Sequence, residues 1–371
     1  MLEKCKWYNN QQTACSLMID DLAPVAISMN GNLSAFNDWG YLMDAPNSLY
    51  EYLNKWLFQK YPEICGTIFL PIESHYYIPQ NFGYKVFTRD LDDVFISFLK
   101  VLQDRFEFAF HGIKHTWFDD KNNIIFEYEN SDIYSLEENI KRIELFSKLS
   151  GIRFIGGKFP GYKYNKISLN LINSLESKWW ALDANMINRR CKENIIENSN
   201  DQSYICIPTN VSGDLFKKSP SSLIKKIKKR FINNYYQKPE KYIQYLYDKR
   251  LPITIQEHYQ KQGEDGKHQH LNLYDDVKYL DDLFGFLRSL DIWYANCSDI
   301  AHYFDSFNKT QITINDKKII INYKGLWDNP FISLKTDYPF LIYENGQYLN
   351  GHKKGDYWIH NINKSGVYNY K

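Results

Sequence analysis

The stretch that decides how this sequence is interpreted is Phe108-Ala-Phe-His111-Gly-Ile-Lys-His115-Thr-Trp117. The largely apolar run 106–110 predicts a buried strand, and two histidines four residues apart follow it. If a helix or tight turn begins after the strand, this spacing places both imidazoles on one face; otherwise both lie at or just beyond the end of the strand. Two imidazoles held in this way supply two of the three protein ligands of an open zinc site.

The third ligand must come from elsewhere in the chain, and the best candidate is the acid pair Asp20-Asp21. Residues 14–19, Ala-Cys-Ser-Leu-Met-Ile, predict a buried strand that ends at this pair. We therefore interpret the rest of the chain as an arrangement that brings one of these carboxylates to His111 and His115.

Composition limits the class of protein. The chain has 371 residues, of which 44% are apolar, so it can form one large α/β domain with an appendage or two medium domains. The formal net charge of +1 indicates neither a nucleic-acid nor a membrane-surface partner. Aromatic residues make up 17% of the chain, which suits stacking on sugar rings, although a Lys-, Asn-, Ile- and Tyr-rich composition can also reflect genome base bias.

Cysteine usage and hydropathy favour a cytoplasmic location. The six cysteines are scattered without a CxxC pair, which is typical of free thiols in a reducing compartment. No segment reaches the roughly 18 uninterrupted apolar residues of a membrane span. No apolar stretch of signal-peptide length precedes Asp20.

The order of predicted elements divides the chain into two parts. Strands and helices alternate from residue 14 to about 305, which predicts an α/β domain over 1–307 built on a parallel sheet or barrel. Residues 308–371 carry short alternating apolar runs separated by turn signals, which predict a small β-sandwich-like domain. In the first part, the main helices are predicted over 48–61, 89–105, 131–150, 219–247 and 272–290. A further strand is predicted over 152–155.

Polar side chains recur where predicted strands end. In parallel sheets and barrels the carboxyl ends of the strands meet at one edge, and sites are built there. The residues in these positions are Asp20-Asp21, His111, Lys158, Asp183 and Glu257-His258. We expect them to surround one site.

The order of these motifs resembles that of the metal-dependent polysaccharide deacetylases, the carbohydrate esterase group that includes chitin and peptidoglycan deacetylases. The resemblance covers roughly residues 14–305. Asp20-Asp21 matches the acid pair at the end of the family's first strand, and His111-Gly-Ile-Lys-His115 matches its second motif in spacing and position. The resemblance implies a distorted (β/α) barrel, and the β domain predicted over 308–371 follows it.

The other three motifs match more loosely and indicate a divergent member. The family's third motif has Arg followed by Pro and Tyr, whereas Gly157-Lys158-Phe-Pro160-Gly-Tyr162 has Lys in place of Arg and a glycine between Pro and Tyr. Trp180 and Asp183 approximate the fourth motif. The run Ile253-Thr-Ile-Gln-Glu-His258 approximates the fifth.

The resemblance implies a metal centre made by Asp21, His111 and His115. It would hold one divalent ion, with zinc expected first and cobalt, nickel, manganese or iron also compatible with these ligands. The alternative is a purely structural role, in which His111 and His115 are a polar pair that caps a helix.

The resemblance also implies roles for the groups around the metal. Asp20 would be the general base, and Lys158 would tune it. His258 would be the general acid, with His268 and His270 as alternatives. Two of these positions also have a purely structural interpretation. Lys158 can be a surface lysine, and residues 160–161 can be an ordinary turn.

Substrate contacts are expected from a further group of residues. A backbone N–H of Gly161 or Tyr162 would donate to the oxyanion, and Asp183 would orient His258. His75 and Trp180 complete the set of expected substrate contacts.

The activity implied is hydrolysis of an N-acetyl group from an amino sugar in an intracellular glycan or surface-polysaccharide precursor. Two other functions stay open. One is a carbohydrate-binding protein on the same fold that no longer does chemistry, and the other is an amidase acting on a small non-sugar amide.

Overall fold

The computed structural model describes residues 2–22, 25–29, 32–33, 49–72, 84–88, 93–118, 123–182, 197–198, 204–217, 239–259 and 268–370. In chain order the strands of these residues are β1 Leu2–Lys4, β2 Thr13–Asp20, β3 Val25–Met29, β4 Asn32–Leu33, β5 Gly66–Leu70, β6 Tyr84–Thr88, β7 Phe106–Phe110, β8 Thr116–Phe118, β9 Ile124–Phe126, β10 Gly156–Lys158, β11 Trp179–Ala181, β12 Glu197–Asn198, β13 Ile205–Cys206, β14 Val211–Ser212, β15 Ile253–His258, β16 Ile292–Tyr294, β17 Thr310–Asn315, β18 Lys318–Tyr323, β19 Ile332–Thr336, β20 Phe340–Tyr343, β21 Tyr348–Asn350, β22 His352–Lys354, β23 Tyr357–Ile362 and β24 Gly366–Asn369. The helices are α1 Leu49–Leu53, which continues as a π-helical turn over Asn54–Phe58, α2 Asp93–Leu102, α3 Ile133–Ser150, α4 Leu169–Ser174, α5 Pro239–Asp248, α6 Leu273–Leu287 and α7 Cys297–Lys309.

The large sheet is a parallel half-barrel, which confirms the predicted distorted (β/α) barrel. Its strand order is β12-β13-β11-β10-β7-β5-β2-β15-β14, with β16 also paired to β2. All of these pairs are parallel except β12 with β13. The carboxyl ends of the central strands therefore lie at one edge.

Strand β2 is the centre of this sheet, and all eight of its residues are buried. Strand β15 runs along one side of it, while β16 and β5 share the other side. Because side chains alternate between the two faces of a strand, β2 contributes to two cores. Ala14 and Met18 pack on the concave face, and Leu17 and Ile19 pack against the helices outside.

Helix α7 covers the concave face near the beginnings of the strands. Its Cys297, Ile300 and Ala301 pack with Trp179 and Phe69 in the inner core. The side chain of Asn296 caps the helix by accepting the N–H of Asp299. The half-barrel is therefore closed at this end, and its opposite end is left for a site.

Two all-β sheets follow α7 and share one core. Their strand orders are β17-β18-β24-β20-β21 and β1-β19-β23-β22. Ile319 and Ile321 of the first sheet pack with Ile332 and Leu334 of the second. The N-terminal strand β1 belongs to the second sheet, because it pairs antiparallel with β19. The boundary predicted at residue 307 stays a prediction.

The predicted strand over 152–155 was placed too early, because the strand that joins the sheet is β10, residues 156–158. Its neighbour β11 carries two tryptophan rings. A Cβ at Gly156 would lie 2.1 Å from the Trp179 ring, and a Cβ at Gly157 would lie 2.7 Å from the Trp180 ring. The two glycines therefore select the pairing register, since the residues before them have side chains that would clash.

Other predicted elements differ mainly at their ends. The helix expected over 131–150 begins at Ile133 after a capping box at Asp132 and ends at Ser150, where Gly151 caps it with a φ of 75°. The helix expected over 48–61 changes from α to π geometry after Leu53. Of the helix expected over 219–247, only the part from residue 239 onward lies in the described residues.

Among the helices described here, none is long and apolar enough to cross a membrane.

Candidate metal centre

Asp21, His111 and His115 converge at the carboxyl edge of the half-barrel. Asp21 follows β2 directly and His111 follows β7, while His115 ends the short loop after His111. The Asp21 Oδ1 atom lies 3.2 Å from His111 Nε2 and 3.1 Å from His115 Nε2. The three possible ligand atoms all lie within 4.8 Å of one another. Within the described part of the chain, no other group of three His, Cys, Asp or Glu residues meets this criterion.

The donor set fits a divalent metal ion. Ligand atoms about 2.1 Å from a tetrahedral zinc ion are separated from each other by roughly 3.4 Å, close to the distances observed here. The Nδ1 atom of His111 lies 3.0 Å from the Lys158 carbonyl oxygen. Because that oxygen can only accept, Nδ1 carries the proton and Nε2 is left as a ligand.

Two of the three residues have a left-handed backbone that is rare for residues other than glycine. Asp21 and His115 both have a φ of 67°. The loop between His111 and His115 is irregular, so the helical alternative for the histidine pair is wrong. The backbone of Asp21 is held by its N–H, which donates to the Phe69 carbonyl at 3.1 Å. Such conformations cluster at functional sites, where surrounding contacts hold them.

Asp20 and Lys158 form a buried ion pair beside this trio. Lys158 is fully buried and its Nζ contacts Asp20 Oδ1 directly. The same amine donates to Gln256 Oε1 at 2.8 Å and lies 4.0 Å from the centre of the Phe69 ring. Burial by itself would lower the pKa of Lys158, but the Asp20 carboxylate and the Tyr162 hydroxyl together outweigh burial and raise it. A charged lysine therefore faces Asp20.

His258 is the only one of the three candidate acids that faces the trio. Its Nδ1 lies 2.7 Å from the Leu271 carbonyl and so carries a proton, while its Nε2 lies 3.9 Å from Asp21 Oδ2. His268 instead contacts Asp275. His270 is exposed, and its Nε2 lies 3.9 Å from Asp214 Oδ2. The geometry thus favours His258 among the predicted alternatives.

The turn after Lys158 differs from its predicted role at one position. The Tyr162 N–H donates to the Phe159 carbonyl at 3.0 Å, so it is already used and the expectation that it serves an oxyanion is wrong. The Tyr162 hydroxyl lies 2.6 Å from Thr209 Oγ1 and 3.0 Å from Gln256 Oε1. Gly161 has a φ of 57°, and a Cβ there would lie 2.5 Å from the Phe126 ring. The Gly161 N–H remains the candidate oxyanion donor of this turn.

The remaining predicted substrate contacts divide into two groups. Trp180 is fully buried and packs against Phe159 and Phe110, so it has no surface through which to contact a substrate. Trp180 instead stabilises the turn after Lys158 by packing against Phe159. His75 and Asp183 lie outside the described residues.

Two residues that the sequence analysis did not select belong to this site. Gln256 joins Lys158 to the Tyr162 hydroxyl. Its position two residues before His258 on β15 was a usable signal, because alternate residues of a strand share a face. Glu127 contacts the histidine loop through its buried carboxylate. Only the folding of the β8–β9 hairpin reveals that contact.

Comparison with known proteins gives a likeness of fold. No family model matches the chain, and no curated protein matches it. A solved structure described as a polysaccharide deacetylase from Mycobacterium smegmatis is 14% identical, with 83% of this chain and 96% of that chain covered and a TM-score of 0.44. The Bc1960 peptidoglycan N-acetylglucosamine deacetylase is 12% identical, with 78% and 87% covered and a TM-score of 0.38. A 4-alpha-glucanotransferase from Thermococcus litoralis is 12% identical, with 78% and 40% covered and a TM-score of 0.43.

Proposed function

We propose that this protein is a metal-dependent hydrolase that removes an N-acetyl group from an amino sugar of a glycan or surface-polysaccharide precursor. The observation that carries the proposal is the convergence of Asp21, His111 and His115 beside the Asp20–Lys158 ion pair and His258. Amide hydrolysis needs an electrophile activator, a base and a proton for the leaving amine, and this group of residues offers each of these.

Asp21, His111 and His115 would hold the metal ion. Bound there, a divalent ion supplies Lewis acidity, which polarises an amide carbonyl and makes a water molecule easier to deprotonate. We assign zinc as the ion, since two imidazoles and one carboxylate suit it, although the same ligands accept cobalt, nickel, manganese or iron.

The other side chains would handle protons. Asp20 would accept the proton of the attacking water, and Lys158 would hold the Asp20 carboxylate in place. His258 would donate a proton from Nε2 to the leaving amine, because its Nδ1–H is fixed on the Leu271 carbonyl. The Gly161 N–H would donate to the oxyanion.

The proposed substrate class rests on the family resemblance of the ordered motifs. The exposed Trp117, two residues after His115, offers an apolar face on which a sugar ring could stack. A cytoplasmic place of action belongs to the same proposal. It is supported by the cysteines of the described residues, Cys5, Cys15, Cys65, Cys206 and Cys297, which are all free thiols.

The test combines metal content with acetate release. Wild-type protein and His111→Ala would be stripped with a chelator, reloaded with zinc and dialysed, and zinc per chain measured by mass spectrometry. Acetate release would then be followed with N-acetylglucosamine oligomers, a nucleotide N-acetyl sugar and small non-sugar N-acetyl amides. We expect one zinc per wild-type chain, acetate from one of the sugar substrates, and loss of both in the variant.

His352→Ala is the matched control, because His352 is an exposed histidine of β22 in the C-terminal sheets. It should keep both zinc and activity. Unchanged zinc content in His111→Ala would show that the metal site is assigned wrongly. Zinc binding without acetate release would favour the carbohydrate-binding alternative, and release from the non-sugar amides alone would favour the amidase alternative.

A further inference from the structure

The loop that carries His115 lacks the hydrogen bonds of a helix or a strand. Residues 111–115 are irregular, so the backbone N–H groups inside the loop need another acceptor. One atom provides it. Glu127 Oε2 accepts the N–H groups of Ile113, Lys114 and His115 at 2.8, 3.0 and 3.1 Å. Three consecutive N–H groups around one oxygen form an anion-binding nest, and the anion is part of this chain.

Further contacts fix the Glu127 carboxylate in this nest. Glu127 lies just after β9 and is 7% exposed. Its own N–H donates to the His115 carbonyl at 3.1 Å, so that both backbone groups of His115 bond to this one residue. The Asn139 amide on α3 lies 3.4 Å from the other carboxylate oxygen. The loop is thereby tied to the β8–β9 hairpin and, through Asn139, to a long helix.

Gly112 makes room for this carboxylate. A Cβ at Gly112 would lie 2.7 Å from Glu127 Oε2, closer than real Cβ contacts occur, and its φ of 98° also disfavours a side chain. The glycine directly after the first histidine is therefore explained by Glu127. His115 keeps its left-handed backbone because these contacts hold it.

We propose that Glu127 is the positioning residue of the metal centre, and that its carboxylate holds the His115 imidazole where it can bind the ion. The proposal rests on the metal-dependent function proposed above. Groups that orient metal ligands typically change metal affinity by about 10- to 100-fold when they are replaced. Glu127 is not one of the three proposed ligands, and it acts through the backbone of the loop.

The experiment measures zinc affinity directly, without a substrate. The zinc Kd of Glu127→Gln and Glu127→Ala would be determined by competition with a chromogenic chelator, and metal-free folding would be checked by circular dichroism and thermal unfolding. We expect the Kd to weaken about 10-fold in Glu127→Gln, which keeps an acceptor oxygen but not the charge. We expect about 100-fold weakening in Glu127→Ala, which leaves three N–H groups without their acceptor. The visible spectrum of the cobalt-loaded proteins should change in the same order, because it reports ligand geometry.

Two further variants make the test specific. Glu129→Gln changes an exposed glutamate two residues away and should leave the zinc Kd unchanged. Gly112→Ala should weaken zinc binding as the Glu127 variants do, because the new Cβ displaces the carboxylate. If Glu127→Ala does not fold, the zinc Kd values of Glu127→Gln and Gly112→Ala test the proposal.

A wild-type zinc Kd in folded Glu127 variants, with an unchanged cobalt spectrum, would overturn this proposal and leave the proposed function intact. Conversely, zinc binding that depends on Glu127 in a protein that releases no acetate would overturn the deacetylase function alone. Wild-type protein that binds no zinc overturns both.

Discussion

Strand β7 carries an ionisable side chain at each of its ends, and the molecule treats the two ends differently. Glu107 and His111 are four residues apart and so share the concave face. At the first end, Glu107 Oε1 accepts the Thr67 hydroxyl at 2.7 Å and the Ser298 N–H of α7 at 2.8 Å. The carboxylate thereby meets the positive end of a helix dipole and is satisfied within the fold.

At the other end, the polar atoms point toward one another across the strands. Asp21, His111 and His115 surround a common point, and Asp20 is held by Lys158. Asp21 and His115 have a left-handed backbone here, whereas Thr67 and Glu107 lie in regular strands. Burial of charge alone therefore does not mark a site. What distinguishes the end at His111 is the convergence of three possible metal ligands, two of them on a left-handed backbone.

The largest effect is expected from breaking the ion pair at the open end. Lys158→Met leaves the buried Asp20 carboxylate without its cation and should lower the free energy of unfolding by about 3 kcal/mol. Acetate release should fall by at least about 100-fold. Urea unfolding and the acetate assay measure the two effects.

The double variant Lys158→Met with Asp20→Asn separates stability from function. It removes both charges, so it should recover most of the lost stability but none of the activity. Recovery of activity would show that the pair serves folding only.

The next effect concerns the proton donor. His258→Asn should lower acetate release by about 100-fold, or roughly 2.7 kcal/mol in activation free energy, with the zinc content unchanged. His268→Asn is the control, because His268 contacts Asp275 instead of the trio. A loss of activity in the control but not in His258→Asn would transfer the role of acid to His268.

A pH-dependent effect of about 2 kcal/mol is expected at the closed end. Burial raises the pKa of Glu107 to about 7, so the folded protein keeps this carboxyl protonated at pH 5, whereas the unfolded chain largely ionises it. The stability contributed by this group is therefore lost as the pH rises through 7. Glu107→Gln removes this dependence.

The free energy of unfolding of Glu107→Gln, relative to that of wild type, should consequently increase by about 2 kcal/mol between pH 5 and pH 8, since each pKa unit corresponds to about 1.4 kcal/mol. Denaturant unfolding at the two pH values measures the difference. A constant difference would mean that Glu107 is already ionised in the folded protein at pH 5.

The smallest effect is expected at the same end from Thr67→Val. The Thr67 hydroxyl donates to Glu107 and accepts the Cys297 N–H at 2.9 Å, so its removal should lower the free energy of unfolding by about 1 kcal/mol. The zinc Kd should not change. A weaker Kd would show that the two ends of β7 are coupled, which would contradict the contrast between them.

Local patterns were sufficient for much of the architecture. The alternation of apolar strands with helices predicted a parallel sheet or barrel, and the largely apolar run 106–110 matches β7 at both ends. The acid pair and the histidine pair were recognisable because strand ends in a parallel sheet meet at one edge. The Lys158–Asp20 contact followed from the same rule together with the family resemblance.

Other features could not be predicted from local pattern. The register of β10 depends on how two tryptophan rings pack against Gly156 and Gly157. The strand β1 pairs with β19, from the far end of the chain, and nothing in its three residues indicates that partner. The Tyr162 N–H lost its predicted role because a tight turn uses it internally.

The sequence by itself therefore determined the histidine spacing, the order of the motifs and the parallel sheet. These features can be read along the chain, because they depend on neighbouring residues and on the order of the segments. Only the tertiary structure decided how the loop after His111 is held. Glu127 reaches it from another hairpin, and the nest needs three N–H groups, a glycine and a buried carboxylate in one place. Contacts of that kind join residues that the chain keeps apart, so no local pattern encodes them.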